Sequence, residues 1–159
     1  KGIHIYKDRK AVMLIKILGL FTVVNARGKE MDQGETVTIF NDMCFMAPAT
    51  LIDRNIEWKE IDDLTVGARF TNGNITITAT LYFNEKGELV NFLSNDRFET
   101  TDGKTYLNSP WITPATAYAN INGYLLPSQA KLIYKRPDED FCYGEFNLKT
   151  IEYNCREFR

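Results

Sequence analysis

A chain of 159 residues with 44% hydrophobic and 25% charged residues has the make-up of one ordinary globular domain, which excludes disorder and a coiled coil. Nineteen Lys and Arg against 21 Asp and Glu leave a net charge of −2, too even for an electrostatic grip on nucleic acid. The lone His4 removes most zinc-hydrolase, Ser-His-Asp and Cys-His centres, each of which needs a positioned imidazole.

In chain order, Ile3 to Tyr6 and Ala11 to Val24 read as a strand pair. The second is apolar on both faces, so it is expected to be covered on both sides. Lys16 near the middle of this short run argues against a transmembrane span, and no transmembrane segment is expected in this chain. Because the chain opens on Lys rather than Met, residues 1–159 are expected to be a single domain lacking N-terminal elements of a longer protein.

Asp32 followed by Glu35 resembles a capping box. Ile39, Phe40, Met43, Met46 and Ala47 then fall at helical spacing until Pro48, which predicts one amphipathic helix from about Gln33 to Met46. Leu64 to Phe83 alternates apolar and polar residues around Asn72-Gly73, the pattern of a hairpin with one apolar face. Further turns at Asn84 to Gly87 and Thr101 to Lys104 bound the stretch Glu88 to Ser94 and lead into Tyr106. Three more strands follow at Thr116 to Ile121, Leu125 to Lys135 and Phe141 to Tyr153, with Pro127 placing its strand at an edge or a bulge. The expected fold is α+β and mostly β: an antiparallel meander curled into an unclosed half-barrel, with the helix packed across the concave face.

Several segments are similar to an uncharacterised bacterial family known only as a domain of unknown function. The resemblance rests on Ala26-Arg27-Gly28 and Met31-Asp32-Gln33-Gly34-Glu35 before the helix, and on the exit Met46-Ala47-Pro48. Trp58 before Ile61-Asp62, Gly87-Glu88, Asp96-Arg97, Leu126-Pro127 and the closing Ile151 to Asn154 extend it over most of the chain. It implies no activity. By architecture the chain resembles a lipoprotein-carrier type of fold, an unclosed barrel over an apolar concavity, and fold alone does not fix function.

Catalytic devices are few. No glycine-rich phosphate cradle occurs, and the acids Glu60, Asp62 and Asp63 read as a solvated turn, leaving an acid-dependent hydrolase as the weakest of three readings. Asp138 to Asp140 lack the ligand spacing of a calcium loop. Cys44, Cys142 and Cys155 show no metal-ligand spacing and are expected to be free thiols. No catalytic residue, metal or cofactor is assigned.

The preferred reading is a non-enzymatic binding module holding a hydrophobic small molecule or lipid in the half-barrel. Its candidate lining is Phe40, Met43, Met46, Trp58, Phe70, Ala79, Phe83 and Trp111, and its candidate polar rim is Arg27, Asp32 and Arg97. The alternative is a structural or interaction domain of a cell-envelope protein, in which the same residues form a packed core. A continuous apolar cavity between helix and sheet favours the first reading; a filled interior favours the second.

Overall fold

The computed structural model describes residues 1–157. The chain opens with strands β1 (Gly2–Lys7), β2 (Lys10–Ile17) and β3 (Phe21–Ala26), which form a three-stranded antiparallel sheet in that order. The expected long strand from Ala11 to Val24 is therefore broken. Leu18 and Gly19 both take positive φ (52° and 75°), and the Leu20 amide donates to the Ile17 carbonyl at 3.0 Å, turning the chain back. Nor is this strand region covered on both sides, since Ile17, Leu18, Leu20, Phe21 and Val23 are all exposed. The small sheet uses one face, through Ala11, Val24 and Ala26, to pack on Met31 of the following helix.

That helix, α1 (Lys29–Met46), begins four residues before the expected start at about Gln33, after Gly28 at φ 110°, and ends at Ala47-Pro48. Asp32 is not its cap. The Asp32 carboxylate instead accepts the Ala11 amide and the Lys10 ammonium, both at 2.8 Å, and so ties the small sheet to the helix. The N-terminal half of α1 is enclosed between two sheets, which is why Asp32, Glu35 and Thr36 are buried beside Val37 and Phe40. A short 3-10 turn (Pro48–Ile52) leads into the second sheet.

The second sheet contains β4 (Ile56–Asp62), β5 (Thr65–Asn72), β6 (Ile75–Phe83), β7 (Leu89–Ser94), and, after a two-stranded ribbon of β8 (Phe98–Glu99) and β9 (Leu107–Asn108), β10 (Trp111–Ile112), β11 (Ala115–Ile121), β12 (Tyr124–Lys135) and β13 (Asp140–Asn147). All pairings are antiparallel. Strand β12 pairs along one side with β11 and then β10, and along its other side with β13, so β10 and β11 act as one interrupted strand between β7 and β12. The sheet is not closed into a barrel. The β5–β6 loop is Gly73-Asn74, one residue later than the Asn-Gly pairing suggested, with Gly73 at φ 67°. Pro127 pairs with Tyr118 of β11 beside a register irregularity, in the part of β12 that has no β13 partner. The final strand ends at Asn147, short of the expected Tyr153.

The inward residues of β5 and β6, Ala68, Phe70, Ile77, Ala79 and Leu81, meet Val37, Phe40, Cys44 and Phe45 of α1 in the main core. Phe40 stacks on Phe70 at 5.0 Å between ring centroids and meets Phe92 edge-on at 5.9 Å; Phe92 in turn meets Trp111 at 6.1 Å. Such aromatic contacts fill the space between helix and sheet.

Candidate functional site

The hydrogen bonds at the end of β7 decide which way two neighbouring charged residues point. Ser94 Oγ donates to the Thr78 carbonyl at 2.7 Å and accepts the Asp96 amide at 3.1 Å. The Asp96 carboxylate then accepts the Thr78 amide at 2.6 Å and the Thr78 hydroxyl at 2.8 Å. With Asp96 fixed outward on β6, Arg97 turns inward under α1, where its side chain is only 12% exposed.

There the Arg97 guanidinium lies over the Trp111 ring, 4.6 Å from its centroid. Its Nη1 donates to the Gly34 carbonyl at 2.7 Å and to the Thr38 hydroxyl, and sits 3.5 Å from the Glu35 carboxylate. The hydrogen bonds that tie the guanidinium to α1 thus all run through Nη1. Nε is buried with no partner. Burial works against the charge, but Tyr134, Tyr143 and Glu35 outweigh it and hold the Arg97 pKa above its ordinary value. The guanidinium is a fixed cation with an unused donor.

Arg97 lines a cleft of about 230 Å³ between the small sheet, α1 and the end of the large sheet. Met13, Met31, Phe98, Phe141 and Tyr143 supply most of the wall. The acids in it are matched: Glu35 faces Arg97 and lies 3.4 Å from His4 Nε2, and Glu99 is gripped by Arg136, which also lies over Phe141 at 3.8 Å. Tyr134 donates to the Phe98 carbonyl at 3.0 Å, and Trp111 Nε1 donates to the Tyr143 hydroxyl at 3.0 Å, so both tyrosines are oriented around the guanidinium.

A family of unknown function (DUF6544) matches residues 1–146. The chain belongs to this family. No curated protein and no solved structure matches it.

In this DUF6544 member the residues expected to line a ligand site come together between helix and sheet, away from this cleft. Phe40, Phe70, Ala79 and Trp111 meet in the filled core, with Met43, Met46 and Phe83 packed on its margin and Trp58 half exposed on the outermost strand β4. Of the expected polar rim, only Arg97 reaches the cleft; Asp32 holds the small sheet, and exposed Arg27 bonds its neighbour Asn25. Glu60 and Asp62 are exposed on β4, where Asp62 accepts the Leu64 amide in a turn. His4, Met13, Met31, Phe98 and Tyr143, which line the cleft, were not among the expected site residues. The one usable signal was the charged pair Asp96-Arg97 interrupting an apolar strand end.

A larger groove of about 400 Å³ runs between Pro48, Tyr124 and Tyr153, but it contains no charged side chain. No group of three or more potential metal-ligating side chains occurs among the described residues, and no helix there is long and apolar enough to cross a membrane.

Proposed function

We propose that this domain is a non-enzymatic binding module for a small, mainly apolar molecule carrying one hydrogen-bond-accepting head, a carboxylate in the first instance. The observation that carries this reading is Arg97 in the lining of a cleft walled by Met, Phe and Tyr side chains, with its buried Nε–H left without a partner just behind that surface. A buried donor without an acceptor costs about 1–3 kcal/mol, and a ligand that supplies the acceptor recovers it. The Nε edge of an arginine offers the side-on geometry in which carboxylates bind through two parallel hydrogen bonds. Met13 and Met31 are unbranched and adapt to an apolar tail of varied shape. The ligand class stays as the composition suggested, lipid-like and apolar, while the site lies beside the helix instead of beneath it.

The second reading, a structural or interaction domain, draws on the filled interface between α1 and β5–β7. Calorimetric titration with octanoate and octanamide separates the two. Saturable octanoate binding that is stronger than octanamide binding and is abolished by Thr101→Trp at the exposed rim supports the cleft. Heat indistinguishable from dilution for both ligands leaves the scaffold reading standing.

A further inference from the structure

The small sheet carries an exposed apolar tip that the fold does not use. At the β2–β3 turn, Leu18 is 85%, Leu20 76% and Phe21 67% exposed, and Ile17 beside them is 55% exposed. Leu18 also stands at φ 52°, a left-handed conformation that disfavours any residue with a Cβ and that turns normally give to Gly, Asn or Asp. A leucine held there, pointing at water, stabilises nothing within the chain. The patch continues onto the outer face of the sheet through Ile3 and Ile5.

Charge is distributed just as unevenly. From Arg9 to Lys29 there is no Asp or Glu, although the whole chain is net acidic. Lys1 and Lys16 lie next to the tip, where the Lys16 amide donates to the Lys1 carbonyl at 2.8 Å, and neither side-chain ammonium meets a carboxylate among the described residues. Unneutralised lysines flanking exposed large aliphatic and aromatic side chains match a surface that is anionic outside and apolar just beneath.

We infer that the β2–β3 hairpin docks on an anionic lipid bilayer, inserting Leu18, Leu20 and Phe21 among the acyl chains near the headgroups while Lys1 and Lys16 meet the anionic headgroups. This surface lies on the small sheet beyond the Arg97 cleft and acts independently of what the cleft holds.

Vesicle flotation tests the inference, comparing phosphatidylcholine vesicles with vesicles of phosphatidylcholine and phosphatidylglycerol. The expected result is co-flotation with the anionic vesicles only, weakening as salt rises from about 0.05 to about 0.5 M. Leu18→Ser with Leu20→Ser should abolish it without shifting the thermal midpoint, because both side chains are mostly in water. Lys16→Glu should weaken it at least about fivefold, the worth of one interfacial charge. Failure of the protein to float, or flotation unchanged by the Leu substitutions, overturns the inference. Light scattering that shows a dimer broken by those same substitutions, without flotation, would assign the tip to a second copy of the chain instead.

Discussion

Asp32 shows how one carboxylate can be recognised in sequence and still be given the wrong partner. Its position before an apolar periodic run suggested a cap, but the helix begins at Lys29, and the carboxylate reaches across to the Ala11 amide and Lys10. Asp32→Ala is therefore expected to cost about 1–3 kcal/mol by leaving a buried amide unsatisfied, whereas Asp32→Asn keeps an acceptor and should cost less. Urea denaturation of both variants checks this; equal losses would argue against the bond to Ala11. Asp42 offers a second test. Burial, together with Glu35 and against the pull of Arg97, raises its pKa from 3.8 to about 6. The folded state then holds the Asp42 proton more tightly than the unfolded state does. Below pH 4 both states are protonated and nothing is lost, while between about pH 4 and pH 6 the folded state progressively loses stability, by roughly 1–3 kcal/mol in total. Asp42→Asn should raise the thermal midpoint at pH 7 and remove that part of the pH slope, and an unchanged slope would place the carboxylate in water.

At the scale of elements, what could be read depended on whether a pattern was local. Strands β5 and β6 alternate cleanly, and their buried residues Ala68, Phe70, Ile77, Ala79 and Leu81 are the ones the alternation names. The turn shifted by one residue because Gly73, not Asn72, takes the positive φ. Gly73→Val should destabilise the domain more than Gly87→Val: both positions have positive φ, but only at Gly73 does a Cβ also run into another side chain, that of Arg9. Thermal midpoints of the two variants decide it, and a larger loss at Gly87 would contradict the packing of the β1–β2 turn on this hairpin. The break between β2 and β3 is hard to read in the sequence because its one turn-favouring residue, Gly19, stands alone between Leu18 and Leu20 in an otherwise apolar run. The cleft is hidden for a different reason. Its walls come from β1, β2, α1, β8, β12 and β13, far apart in sequence, and only the folded chain brings them to one place.

The whole molecule is a helix held between a large open sheet and a small one, with a filled interior on one side and a cleft on the other. Ala79, 6% exposed within the main core, has no room for a larger side chain. Ala79→Phe should cost at least about 1–3 kcal/mol by overpacking without altering octanoate affinity, since the ligand space lies elsewhere. Comparable affinity loss in this variant would return the site to the helix–sheet interface. The claim that Arg97 receives a ligand is tested most directly by its own Nε–H resonance in nitrogen-15-labelled protein during an octanoate titration. A saturable downfield shift of that resonance, with contacts from the octanoate chain to the Met13 and Met31 methyl groups, is the predicted result. A resonance that stays fixed at millimolar octanoate would contradict the account and leave the buried arginine as a structural tie between β8 and α1.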